Sequence, residues 1–301
     1  MEFPAKILLF GEYGILFHSM ALALPYPRFS GKFSLWEDTA DHLHEKEERS
    51  NQALKRLLHY LKSHSDKYAF LHLGHFEEEV NRGLYFDSSI PSGFGLGSSG
   101  ALTAAIYKRY ARNFSPDRYD SINAELAAIE SCFHGVSSGI DPLTSLLGRA
   151  VLVAGSASTI STPDLSPWLN TFTLFLVNTH AKGNTGDLVT QFMEQYQNLA
   201  FQKKIHEMYI PVINQTIAAA IANDQGFFLS SLARYSQFQL EHFERMIPAT
   251  MRKHFLYGLE SGYFHLKICG SGGGGYLLAI STNHTLAENY FKMNHLDYTI
   301  V

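Results

Sequence analysis

Pro91-Ser92-Gly93-Phe94-Gly95-Leu96-Gly97-Ser98-Ser99-Gly100 follows an apolar run and opens a helical one. Glycines at 93, 95 and 97 let the backbone turn through positive φ and leave no Cβ between the main chain and a ligand. Ser98 and Ser99 stand where a helix begins, so free N–H groups and the positive end of the helix dipole face whatever the loop holds. The stretch predicts an anion cradle with phosphate as the guest. An ordinary helix N-cap on a glycine-rich turn is the competing reading.

Known phosphate loops narrow the choice. A Walker A loop ends in Gly-Lys-Ser/Thr, and Gly97-Ser98-Ser99 has no lysine. Gly95, Gly97 and Gly100 formally satisfy G-x-G-x-x-G, with Leu84 to Ile90 as the preceding strand. A dinucleotide fold then needs a second strand ending in an acidic residue about 20 positions on. Ser115 to Glu130 reads as another helix instead, and the His-Arg-Asp and Asp-Phe-Gly companions of protein kinases are absent.

The 301 residues suit one large or two ordinary domains, and 46% hydrophobic content is ample for a core. A net charge of −4 without a long Lys/Arg block argues against nucleic acid or an anionic membrane as partner and favours a small-molecule ligand. Only Cys132 and Cys269 occur, no signal peptide is visible at Met1-Glu2-Phe3-Pro4, and no apolar run reaches about 18 residues. The expectation is a cytoplasmic protein with reduced thiols.

Ala5 to Phe10 reads as a strand containing Lys6, followed by a turn at Gly11-Glu12-Tyr13-Gly14 and extended structure at Ile15-Leu16-Phe17. Further strands are expected at 21–24 and 29–36, a solvated loop at Thr39 to Ser50, and a helix from Asn51 to His64 with Leu54, Leu57, Leu58 and Leu61 on one face. Tyr68 to Leu73 and Leu84 to Ile90 read as strands leading into the glycine loop, with helices at 100–113 and 117–133 after it. The Ser/Thr/Pro-rich stretch 157–167 is the candidate boundary between domains 1–160 and 161–301. The second half is helix-rich and closes with a strand, the run Gly270-Ser271-Gly272-Gly273-Gly274-Gly275, and another strand. Between two apolar strands such a run is a tight loop rather than a linker.

Pro4-Ala5-Lys6-Ile7-Leu8-Leu9-Phe10-Gly11-Glu12, the loop Pro91 to Ser99, and Lys267-Ile268-Cys269 with the glycine run together resemble the GHMP kinase superfamily in order and separation. Within it the likeness is greatest to the mevalonate kinases: Lys6 to Glu12 resembles their opening motif, and Glu130, His134-Gly135, Ser138-Gly139 and Asp141 resemble their central segment. Asn184-Thr185 resembles an Asn-Thr pair of the second domain. Tyr13 replaces a usual His, Ser137 a usual Pro, and Gly183 a frequent Arg, near the substrate side.

The resemblance implies an α+β, two-domain GHMP kinase fold, with a ribosomal-protein-S5-like N-terminal domain that binds ATP and a ferredoxin-like C-terminal domain. It implies ATP-dependent phosphorylation of mevalonate to 5-phosphomevalonate. Pro91, Gly93, Gly95, Leu96, Gly97, Ser98 and Ser99 would cradle the triphosphate, with Gly272, Gly273 and Gly274 closing over it. Ser99, with Ser98 beside it, and Glu130 would hold Mg²⁺, whose hardness suits hydroxyl and carboxylate oxygens. Asp141 would take or orient the proton of the acceptor hydroxyl, and Lys6 would keep Asp141 ionised and offset charge on the transferring group. Glu12, His18 and Thr185 would face the substrate. The bland alternatives are a turn-stabilising Glu12, an exposed Glu130 and an Asp141 that only caps the helix from 142. Competing functions are a phosphomevalonate, homoserine or sugar kinase, a diphosphomevalonate decarboxylase-like enzyme, and a non-catalytic nucleotide-binding regulator. A homodimer is compatible with all of them.

Overall fold

The computed structural model describes residues 1–36, 45–114, 118–154, 159–181 and 185–301. Strand β1 (Phe3–Phe10) is followed by β2 (Ala21–Leu35), helices α1 (Glu45–Ser63) and α2 (Leu73–Asn81), and β3 (Leu84–Ser88). Helices α3 (Ser98–Tyr110), α4 (Tyr119–His134) and α5 (Ile140–Leu147) then lead to β4 (Val151–Ala154) and β5 (Thr159–Ser161). These strands form a five-stranded sheet in the order β1-β2-β4-β5, with β3 also paired to β2. β2 is one continuous strand where the sequence suggested two. Pro25 and Pro27 cannot donate to a ladder, and they fall between its half against β4 (Ala21 opposite Val153) and its half against β3 (Gly31 opposite Ser88).

The remainder contains α6 (Ser166–Leu169), β6 (Thr173–Asn178), α7 (Thr185–Tyr196), α8 (Leu199–Lys204), α9 (Ile210–Ala222), α10 (Gln225–His242) and α11 (Arg252–Ser261). It ends with β7 (His265–Ile268), β8 (Tyr276–Ser281), α12 (His284–Met293) and β9 (Tyr298–Ile300). A π turn at Ile205–Tyr209 joins α8 to α9, whose second residue is Pro211, with a ring and missing N–H that a regular helix interior does not accommodate. The second sheet is antiparallel in the order β7-β8-β6-β9, with the buried Phe175, Leu176, Leu278 and Ile280 in its core.

Three local readings change. Ile15 to Phe17 is part of a short helical turn, Gly14–Phe17, not a strand. The stretch read as loop from Thr39 lies outside the described residues as far as His44, but from Glu45 it is already α1, with Glu45, Glu47 and Glu48 favourably placed in the first turn. Tyr68 to Leu73 is a set of turns with a single bridge, Leu71 to Ala111, and then becomes α2, which buries Phe76 and Val80 one turn apart.

The chain forms two interleaved compact units. One comprises Met1–Lys6, Pro25–Pro91 and Gly97–Arg149; the other comprises Ile7–Leu24, Ser92–Leu96 and Ala150–Val301. In the first, α3 packs on α4 and α5 and buries the small residues Gly100, Ala101, Ala104 and Ala105. A Cβ at Gly100 would sit 3.0 Å from the Asp141 backbone, so this glycine sets how closely α5 approaches. In the second unit, α10 packs on α9 and β7.

Candidate active site

Lys6 is 2% exposed within β1, and a buried ammonium requires a partner. Its Nζ lies 2.8 Å from Asp141 Oδ2. Asp141 does not cap a helix starting at 142. α5 begins at Ile140 after a left-handed Gly139, so Asp141 stands within its first turn, where the dipole favours a carboxylate. One turn later Ser145 donates to the Pro4 carbonyl at 2.7 Å, docking α5 on the start of β1.

Glu130, on α4, is 5% exposed, which removes the exposed-helix alternative for it. Ser99 donates to one carboxylate oxygen at 3.2 Å and Ser137 to the other. Ser137 in turn accepts the Gly139 N–H at 3.0 Å, so the residue that departs from the family pattern supplies a tie that proline could not. Burial, reinforced by the nearby Asp141 charge, pushes the Glu130 carboxyl up to about 7, against the lowering influence of Ser137, Lys6 and Ser99.

Ser98 and Ser99 open α3, whose N-cap is Gly97 at φ 73 with no side-chain cap. A first turn left uncapped by side chains is the arrangement that accepts a phosphate. Gly97 is also where Lys6 passes: an added Cβ would lie 2.7 Å from Lys6 Cγ. Ser99 and Glu130 together offer a half-buried hydroxyl and a buried carboxylate, a donor set that fits Mg²⁺. Among the described residues no group of three or more His, Cys, Asp or Glu is arranged to hold a metal.

In the other unit, Ser92–Leu96 packs against the glycine run. Added Cβ atoms would meet Cys269 O at 2.6 Å from Gly95 and Phe94 Cα at 2.5 Å from Gly275. Gly272 N–H donates to Cys269 O, Gly273 N–H to Met246 O at 2.6 Å and Gly275 N–H to Ala181 O at 2.7 Å. The amides of Gly272 and Gly273 thus already serve the fold, and what these two residues can offer a ligand is close backbone approach. Ser92 and Gly93 are exposed, Pro91 and Phe94 half-buried, and Leu96 buried.

Glu12 is 2% exposed and holds a fully buried Lys267, which also donates to Leu8 O at 2.9 Å. Its second oxygen accepts from Tyr235 at 2.6 Å, and Tyr209 Oη lies 3.1 Å from its carbonyl. Both carboxylate oxygens are therefore engaged in holding the turn after β1. His18 is exposed at the left-handed end of the turn Gly14–Phe17. Thr185 opens α7, while its side chain, that of His134, and residues Lys182, Gly183 and Asn184 lie outside the described residues. Sequence reasoning noted Ser137 and Lys267 without giving either a role, and it missed Ser145. A lysine inside an apolar strand was the signal that singled out Lys6, and it holds equally for Lys267.

The GHMP kinases N terminal domain family matches residues 52–149, the span that carries the glycine loop, Glu130 and Asp141. Over that span the chain is similar to the GHMP kinases. They are ATP-dependent kinases of small molecules. A mevalonate kinase from Thermococcus sibiricus is 24% identical over 306 residues, covering 92% of this chain and 87% of that relative. Among solved structures, the Streptococcus pneumoniae phosphomevalonate kinase in complex with phosphomevalonate and AMPPNP is similar, with a TM-score of 0.67, 16% identity and coverage of 100% and 99%. So is the Lactococcus lactis galactokinase complexed with galactose, with a TM-score of 0.67, 13% identity and coverage of 99% and 92%. The α+β, two-domain GHMP fold is common to them, whereas their acceptors differ.

Proposed function

We propose that this GHMP kinase transfers the γ-phosphoryl group of ATP to mevalonate, giving 5-phosphomevalonate, in the cytoplasm. The observation that carries the reading is the pairing of buried Lys6 with half-buried Asp141 at 2.8 Å, in the same compact unit as the uncapped start of α3 and the Ser99–Glu130 pair. Phosphoryl transfer asks for positioning and charge stabilisation more than covalent chemistry, and these groups supply both. The α3 N-terminus and the loop before it bind phosphate. Asp141, paired with Lys6, orients the acceptor hydroxyl and takes its proton as the new P–O bond forms and the bond to ADP breaks. Lys6 offsets charge developing on the transferred group. Ser99 and Glu130 would hold Mg²⁺, which supplies neutralisation of the triphosphate charge.

Mevalonate is favoured over other acceptors by the Thermococcus sibiricus relative and by the Lys6 to Glu12 and Glu130 to Asp141 motifs. A coupled assay of ADP release across mevalonate, phosphomevalonate, homoserine and galactose tests the proposal. Turnover with mevalonate at a kcat/KM well above the other three is expected. Preference for another acceptor would replace the substrate, and carbon dioxide release would point to the decarboxylase-like alternative.

A further inference from the structure

Tyr13 has φ 59 and ψ −37, a backbone conformation that a bulky L-residue keeps only where its surroundings enforce it. Those surroundings are specific. The ring is 5% exposed, stacked on Phe192 with centroids 4.3 Å apart, and edge-on to Phe243 at 5.4 Å. Its hydroxyl donates to the Ser271 carbonyl at 2.7 Å, across 258 positions of sequence. Burial, with the Glu12 charge as the lesser cause, raises the phenol well above its ordinary range, so the group remains a donor.

Ser271 is the sole residue with a side chain in the run from Gly270 to Gly275, where Gly270, Gly272, Gly273 and Gly275 all have positive φ. Such a run has little stiffness of its own and must be held from outside. The Ser271 C=O and the Gly272 N–H belong to one peptide plane: Tyr13 holds its oxygen, and Cys269 O accepts its N–H. We infer that Tyr13 is a positioning residue for nucleotide binding, its hydroxyl fixing the Ser271–Gly272 peptide so that the glycine run keeps the shape that receives the nucleotide. This rests on the kinase reading above.

Tyr13→Phe deletes the hydroxyl and preserves the stacked ring. Titration calorimetry with Mg·ADP should show binding weakened by about 3- to 10-fold, the scale of one hydrogen bond. The KM for ATP should rise in step, with the KM for the acceptor unchanged. Equal affinity of Tyr13→Phe and parent, or a change confined to the acceptor KM, would overturn the inference while leaving the kinase reading intact. A parent protein that binds no Mg·ADP would remove the kinase reading itself, and this inference with it.

Discussion

Asp141→Asn keeps the size of the side chain and removes the charge that stands 2.8 Å from the buried ammonium of Lys6. Turnover should fall by about 10² or more, the usual scale for losing a general base. Lys6→Met should lower kcat more than ATP affinity, because its charge is used chiefly as the transition state forms. If the two act as a unit, the double variant is little worse than the more damaged single one; additive losses in kcat/KM for mevalonate would show that they work independently. Glu130 makes a prediction of another kind, readable without turnover. Its carboxyl is raised from 4.5 to about 7 in the folded protein. Between those values the folded state holds a proton that the unfolded chain has released, so this residue's contribution to stability is present below the unfolded value and is lost as pH rises through the folded one. Without metal or nucleotide, the melting temperature of the parent should fall between about pH 5 and 7.5 more steeply than that of Glu130→Gln. Saturating Mg·ADP should flatten the parent's curve. Overlapping pH profiles for parent and variant would deny the shift.

The turns and hairpins around the glycines show what can be read locally and what cannot. Positive φ at Gly93, Gly95 and Gly97 and the start of α3 at Ser98 were legible, because glycine spacing and a helix start are properties of adjacent residues. What the individual glycines touch was not. Gly95 and Gly275 serve backbone-to-backbone packing, at which an added Cβ would lie 2.6 Å from Cys269 O and 2.5 Å from Phe94 Cα. Gly95→Ala and Gly275→Ala should therefore each lose stability by about 1–3 kcal/mol from overpacking, beyond the cost of the left-handed backbone. Gly148→Ala is the control: φ is 61 there too, but nothing lies within 4 Å of the added atom. Urea denaturation distinguishes them, and equal losses at all three positions would show that backbone conformation alone is responsible. The same packing makes bulky substitutions at Gly95 tests of folding before they are tests of nucleotide affinity. α2 escaped sequence reading because it has only nine residues, with Leu73, Phe76 and Val80 as the whole apolar signal and Leu73 at the end of an apolar run. Ser137 and Ser145 escaped because a serine's partner is set by which helix packs beside it.

At the scale of the whole chain, sequence order and compact units divide the molecule differently. We propose 1–160 and 161–301 as its functional domains, yet the unit that contains Ala150–Val301 also includes Ile7–Leu24 and Ser92–Leu96. The most consequential borrowed residue is Glu12. It faces Lys267, fully buried on β7, and accepts from Tyr235 on α10. No local pattern could announce a pair 255 positions apart, although each member sits in an apolar setting that a charge must not enter alone. Removing one partner of a buried ion pair costs about 3–5 kcal/mol, a large share of the roughly 5–15 kcal/mol that holds a typical domain together. A fragment 161–301 expressed alone would keep Lys267 and lose Glu12, the Leu8 carbonyl, and Phe94, whose ring lies 5.3 Å from Tyr276. It should fail to unfold cooperatively and should give a poorly dispersed amide spectrum. Lys267→Met in the same fragment removes the orphaned charge and should recover part of the loss, whereas Lys267→Met in the full chain orphans Glu12 and should destabilise it. A 161–301 fragment that melts cooperatively with Lys267 intact would show that the Glu12 pair is dispensable and that the interleaved strands are not needed to complete this unit.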